Sequence, residues 1–297
     1  MRKIKLALKI AYDIFCSVIY TLYYKIVAIK KMGINEEENR EKKVIVSFTS
    51  FPRRFSNLDL VVKSIMMQSM KADKIILYLG SDSKNVELPS KLLSLKEKGL
   101  EIIYRDEDLK SHKKYYYAFQ DYPNDIVITV DDDLVYEKDM IKLLVDSYNK
   151  YPNSVSAKRV HRMKVEKNGK LAKYNDWQWN CEDITQPSLE LVAIGCGAIL
   201  YPPNCMDKKV FDKEKILNQC LKADDIWLKF MQILKKTPVV YVKGRRIHPV
   251  TILGSQKYTL NSINVEQNQN DVYIQNLENE FGVELAEFCM EECLEEV

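Results

Sequence analysis

Three consecutive carboxylates, Asp131-Asp132-Asp133, stand directly after the apolar run Asp125–Val130 (DIVITV). Neighbouring carboxylates repel one another, and desolvating three of them is costly. A divalent cation with oxygen ligands, shared with phosphate oxygens, relieves that repulsion, so the triplet reads as a candidate Mn2+ or Mg2+ site. The alternative is an exposed acidic turn with no ligand. A second acidic pair, Asp224-Asp225, opens a helical pattern whose apolar face carries Ile226, Trp227 and Phe230. Carboxylates there are stabilised by the helix dipole, so by itself the pair reads as a cap. Trp177 and Trp179 can offer ring faces to a ligand or belong to the core. His112, His161 and His248 are lone histidines, a type that is usually structural.

The elements that must hold these residues follow from the apolar periodicity. Val44–Phe48, Lys74–Leu79, Leu100–Tyr104 and Asp125–Val130 read as strands. Leu58–Met67, Pro89–Lys98 and Ser111–Gln120 read as the helices between them. Such alternation implies βαβ units and a mostly parallel sheet flanked by helices. In open sheets of this kind ligands gather at the carboxyl ends of the strands. The aspartate triplet falls there. So do Thr49, Ser50 and Phe51 after the first strand, Asp82 after the second and Asp106 after the third. Lys113 and Lys114 open the helix before the fourth strand. In GCGAILYPP, which begins at Gly195, two glycines let backbone approach a ligand closely, or else form a bulge in a buried strand.

TSFPRR, DDDLVY, GCGAILYPP and ADDIW occur in that order between Val44 and His248. Together they make the chain resemble the GT-A class of glycosyltransferases, in particular the family-2-like bacterial enzymes of surface-polysaccharide assembly. The resemblance implies an α/β, Rossmann-like GT-A fold. It implies transfer of one sugar from a nucleotide-diphosphate sugar, a UDP-sugar first among them, to a saccharide or lipid-linked acceptor with inversion. As an Asp-x-Asp motif, Asp133 then coordinates Mn2+ or Mg2+ on the donor diphosphate, with Asp131 on the metal or the ribose and Asp132 beside them. Thr49, Ser50 and Phe51 lie where the class places the nucleotide base and ribose. Phe51 stacks on the base or caps the core, and Arg53 or Arg54 pairs with phosphate. Asp82 and Asp106 are candidates to accept a hydrogen bond from the base, and Lys114 to hold the diphosphate.

The same resemblance makes Asp225 the general base for the acceptor hydroxyl, with Asp224 orienting it or binding acceptor hydroxyls. His248, in GRRIHPV, becomes an additional metal ligand, since imidazole suits manganese. No Gln-x-x-Arg-Trp motif follows the acidic pair, which sets the chain apart from processive synthases of the class and points to one sugar per encounter. A sugar nucleotidyltransferase would carry a glycine-rich loop where this chain reads TSFPRR. A phosphatase with an Asp-x-Asp nucleophile would carry its carboxylates after the first strand. The remaining alternative is a non-catalytic, membrane-associated carbohydrate-binding or scaffold protein on a degenerate transferase fold. It would have a broken metal site or a missing base, whereas both acidic clusters are present.

Composition bounds the rest. The 297 residues are 46% hydrophobic and 29% charged, a globular balance. Seven cysteines with no CxxC fit free thiols in a reducing compartment better than a disulfide framework or zinc site. Basic residues are interleaved with acidic ones, which argues against nucleic-acid binding. Residues 1–32, however, carry seven Lys or Arg against the single Asp13. Within them Lys5, Lys9, Asp13, Ser17 and Thr21 make a polar stripe opposite a Leu, Ile, Val, Phe and Tyr face. The longest uncharged run, Ile14 to Tyr24, has eleven residues, short of the about 20 that a span requires. This pattern fits a helix lying in the membrane interface, on the cytoplasmic face of an inner membrane; a helix packed on the catalytic domain and a true span are the alternatives. No small-residue cleavage site follows, which argues against a removable signal peptide. The expected organisation is a membrane-associated helix (1–32), a linker (33–42), a catalytic domain (43–250) and an acidic helical extension (251–297).

Overall fold

The computed structural model describes residues 2–246, 249–255 and 268–289. In chain order the strands are β1 (Val44–Thr49), β2 (Lys74–Leu79), β3 (Leu100–Tyr104), β4 (Ile126–Thr129), β5 (Leu134–Val135) and β6 (Val155–Ala157). They continue as β7 (Val160–Arg162), β8 (Leu191–Ala193), β9 (Ile199–Tyr201), β10 (Val239–Tyr241) and β11 (Val250–Thr251). The α-helices are α1 (Arg2–Ile26), α2 (Leu58–Met66), α3 (Ser90–Leu93), α4 (Lys113–Asp121), α5 (Met140–Lys150), α6 (Lys213–Lys215), α7 (Asp224–Lys235) and α8 (Gln269–Phe281).

Seven strands form the central sheet in the order β10-β6-β9-β4-β1-β2-β3. β1 to β4 are mutually parallel, as their helical crossovers require. The alternation of β1 sorts its side chains between two cores. Val44, Val46 and Phe48 pack with α2, while Ile45 packs with Ile76, Tyr78 and Ala118 of α4 on the other face. Both faces are covered, so the strands read as near-continuous apolar runs.

β9 departs from the parallel pattern: it runs antiparallel to both β4 and β6. This reversal matters for the site. Because Ile199 at the start of β9 lies opposite Thr129 at the end of β4, the Gly195–Gly197 turn is delivered to the edge where Asp131 emerges. A third core holds β6, β8, β9, β10 and α7 together with α8. The described part of the C-terminal extension, 268–289, is therefore packed rather than pendant: Phe281 meets Trp227 and Phe230, and Ile274 and Leu277 are buried. The stretch from 33 to 42 forms no helix or strand, as its charge predicts, yet it is tied down. Asn35 and Arg40 both bind the Asp73 carboxylate, which also accepts the Val44 N–H that opens β1.

Helix α1 packs on the domain with the side opposite to the one its hydrophobicity suggests. Ser17 Oγ donates to Thr251 O at 2.7 Å, and Thr21 Oγ1 accepts the Leu253 N–H at 3.0 Å. The two hydroxyls satisfy backbone groups around β11. Leu8, Phe15, Ile19, Leu22 and Ile26 consequently face outward, Ile26 at 83% exposure. Among the described residues no helix is long and apolar enough to cross a membrane.

Candidate active site

β1 and β4 are neighbours with Ser47 opposite Thr129, so the loops that leave their carboxyl ends meet. Ser50 Oγ donates to Asp132 Oδ2 at 2.5 Å, and Arg54 makes an ion pair with Asp132 and a second with Asp133 Oδ2 at 3.2 Å. The guanidinium also lies over the Phe51 ring at 5.3 Å. Two residues expected to meet the donor, Ser50 and Arg54, thus also hold the aspartate run in place. Burial pushes the Asp132 carboxyl up despite Arg54 and Ser50. Burial and the adjacent Asp131 and Asp132 charges push Asp133 up to about 7, against the pull of Arg54. Asp131 is more open and turns the other way, its backbone N–H donating to Tyr136 Oη at 2.8 Å.

Lys114, in the first turn of α4, is 4% exposed. Its ammonium donates to Asp131 Oδ1 at 2.7 Å and reaches Asp224 Oδ2 at 3.0 Å. Burial alone would lower Lys114, but Asp131, Asp224 and Asp225 outweigh it and hold the group charged. The same ammonium outweighs burial at Asp224 and keeps that carboxylate below its ordinary value. Asp225, next along α7, has no ion pair among the described residues and accepts the Gly195 N–H at 3.1 and 3.2 Å. Burial, then the Asp224 charge, push it up to about 7. Glycine at 195 is a matter of space: a Cβ there would stand 2.9 Å from Lys114 Nζ and 3.1 Å from Asp225 Oδ1. Asp131, Lys114, Asp224, Asp225 and Gly195 are therefore one constellation.

Other expected residues fall at different distances from it. Thr49 Oγ1 donates to Tyr78 O, a role within the sheet edge. Asp82 accepts from Ser83 and faces Lys113 Nζ across Gly80. Asp106 is 89% exposed and paired with Lys84, outside the cluster, whereas Asp108 holds the buried Lys113 at 2.8 Å. Trp177 is buried with its indole N–H on Ala172 O, which makes it a core residue. Trp179 is half-buried and stacks on His161 at 4.9 Å. His112 is fully buried between Tyr115 Oη and Cys220 O. His248 lies outside the described residues. Arg159, Tyr174 and Asn180 carry no motif of their own in the sequence; they gather around Cys196, within the GCGAILYPP stretch.

The described residues gather no set of three His, Cys, Asp or Glu side chains around one point. A hard cation that takes most of its ligands from diphosphate and water requires only one or two carboxylates. Asp131 and Asp133 supply two carboxylates of that kind, each already facing a cation of the chain, Lys114 and Arg54. The donor set fits Mn2+ or Mg2+.

Residues 44–199 match the family model described as glycosyl transferase family 2. Among solved structures, a mannosyltransferase from Pyrobaculum calidifontis, in complex with GDP-Man and Mn2+, is similar with a TM-score of 0.51. It is 11% identical, over 92% of this chain and 74% of that one. A CMP:2-keto-3-deoxy-manno-octonic acid synthetase complexed with CTP is 9% identical over 69% of this chain and 90% of its own, with a TM-score of 0.41. A putative glucose-1-phosphate thymidylyltransferase from Bacillus anthracis is 15% identical over 68% of this chain and 87% of its own, at 0.40. No curated protein matches the chain.

Proposed function

The chain belongs to glycosyl transferase family 2, and we propose that it transfers one sugar from a nucleotide-diphosphate sugar to a saccharide or lipid-linked acceptor, with inversion. The observation that carries this reading is the state of Asp225: half-buried, raised to about 7, bound by a backbone N–H and without an ion pair among the described residues. A general base works best with a pKa near the operating pH. Asp225 takes the proton of the acceptor hydroxyl as its oxygen forms the new bond to the anomeric carbon. The bond from that carbon to the diphosphate oxygen breaks, and its electron pair leaves with the nucleoside diphosphate. Asp224, fixed by Lys114, keeps Asp225 in place.

On the donor side Asp131 and Asp133 would hold Mn2+ or Mg2+, which when bound offsets the charge on the leaving diphosphate. Phe51 offers a half-buried ring for the nucleotide base, and Asp82 an acceptor at the end of β2. Residues 1–32 form the contact with an anionic membrane on its cytoplasmic face. Support comes from α1, which spends its hydroxyls on the domain and turns its apolar side outward. Deleting residues 1–32 should release the protein from anionic vesicles in a flotation assay; continued flotation would remove this assignment.

The first experiment is isothermal titration of UDP, GDP and CMP with and without Mn2+. The expected result is metal-dependent binding of one nucleotide, UDP foremost. GDP is included because the mannosyltransferase of similar fold holds GDP-Man. Folded protein that binds none of the three would reduce the chain to a non-catalytic scaffold.

A further inference from the structure

The Gly195–Gly197 turn has a second neighbour besides Asp225. Ala157 at the end of β6 lies opposite Ile199, so Arg159 emerges against the turn. A Cβ on Gly197 would come within 2.5 Å of the Arg159 Cβ. Arg159 Nη1 donates to Cys196 Sγ at 2.7 Å and Nε donates to Asn180 Oδ1 at 2.8 Å. Neither partner offsets its charge. Asn180 is neutral, and burial pushes the Cys196 thiol up to about 11, so it stays protonated at neutral pH.

Among the described residues Arg159 makes no ion pair, although the neighbourhood is rich in carboxylates. All of those carboxylates but Asp225 are already served: Lys114 holds Asp131 and Asp224, and Arg54 holds Asp132 and Asp133. The guanidinium is nevertheless held in a fixed pose. Ala198, directly after Gly197, is a non-glycine, non-asparagine residue at φ 78°, and strain of this kind clusters at ligand clamps. A half-buried guanidinium fixed by neutral partners gains its counter-charge when a ligand brings one.

The side on which that ligand arrives follows from the turn. Asp225 sits at one end of three residues and Arg159 at the other, and three residues span at most about 10 Å. Buried Tyr174 lies within electrostatic reach of both and joins the ring cluster of Trp179 and His161. Arg159 thus belongs to the side of the base.

We propose that Arg159 recognises an anionic group on the acceptor, a phosphate ester or a sugar carboxylate, and so orients the reacting hydroxyl toward Asp225. The planar fork of arginine matches both groups with two parallel hydrogen bonds. The proposal rests on the reading of Asp225 as the base.

Full-length protein with Mn2+ and the nucleotide that binds would be titrated with glucose 1-phosphate, methyl glucuronide and methyl glucoside, followed by ligand-observed NMR. One of the two anionic sugars should bind at least about tenfold more tightly than the neutral one. Which of them it is separates phosphate from carboxylate. Arg159→Gln should erase the preference and leave nucleotide affinity unchanged, and Arg159→Lys should retain part of it. Thermal melting of both variants checks the fold. The proposal is overturned by a wild type without the preference, by a preference that survives Arg159→Gln, or by a loss that falls on the nucleotide. If the nucleotide itself fails to bind the wild type, the donor reading falls, and this inference with it.

Discussion

Asp131–Asp133 at the end of β4 and Asp224-Asp225 at the start of α7 both place adjacent carboxylates in largely buried surroundings, but the first gives all three to cations and the second only one. In the first cluster the arginine fork of Arg54 spans Asp132 and Asp133, with Ser50 as a further donor. In the second, the Lys114 ammonium goes to Asp224, and Asp225 is left with a backbone N–H. The first cluster is closed by a positive group from its own chain and still carries excess negative charge, which suits a second, stronger cation arriving with phosphate. The second leaves one carboxylate uncommitted, which suits a proton acceptor. Lys114 touches both clusters through Asp131 and Asp224 and so links them.

Two substitutions separate these roles most sharply. Asp225→Asn should lower turnover by about 10²- to 10⁴-fold, the usual contribution of a general base, while Mn2+-dependent nucleotide binding persists. Asp133→Asn should lose the metal-dependent part of nucleotide binding along with turnover. The division of labour fails if Asp225→Asn turns over like wild type, or if both variants lose binding equally. Lys114→Met tests the bridge. Removing one partner of a buried ion pair costs about 3–5 kcal/mol, and here two carboxylates lose their cation. Urea unfolding should show the loss, and a midpoint equal to wild type would refute the bridge. A smaller effect belongs to Gly195→Ala, whose new methyl must displace Lys114 Nζ or the Asp225 carboxylate. A shift of that size costs up to about a hundredfold in kcat with the fold intact; unchanged kcat would mean that the contact is slack.

How much of this was legible differs between the two clusters. β2 and β3 coincide with the strands read from apolar runs, and β1 and β4 agree to within a residue, because buried parallel strands announce themselves by composition. The aspartate run was legible for the same reason: it follows such a strand. The second cluster was reached only through resemblance, because Asp224-Asp225 at a helix start looks like a cap. Its meaning depends on Lys114, 110 residues earlier than Asp224, and on the reversal of β9, which no local pattern encodes. Arg159 was invisible for a related reason, since an arginine after a strand is ordinary until its partners prove to be uncharged. Helix α1 was legible as amphipathic, but not in orientation. The hydroxyls of Ser17 and Thr21 find backbone partners around β11 that exist only in the folded chain.

The subtlest contrast between the clusters is in stability against pH. Asp225 has an ordinary carboxyl value of 3.8 and rises to about 7 in the folded protein. Between these values the folded chain keeps a proton that the unfolded chain has released. The stability this provides is present in full below about 4 and is lost as pH rises to about 7. Asparagine at 225 does not ionise and accepts the Gly195 N–H equally well. In metal-free buffer Asp225→Asn should therefore melt with the wild type at pH 4 and several degrees above it at pH 8. Asp133 rises to a similar value, but its Oδ2 holds Arg54. The gain for Asp133→Asn at pH 8 should be smaller, because the arginine loses part of its counter-charge. Turnover should run the opposite way to stability and climb through about pH 7 as Asp225 gives up its proton. Equal melting of Asp225→Asn and wild type at pH 8 would mean that the carboxylate is at ease in its site, and the case for a poised base would lose its physical ground.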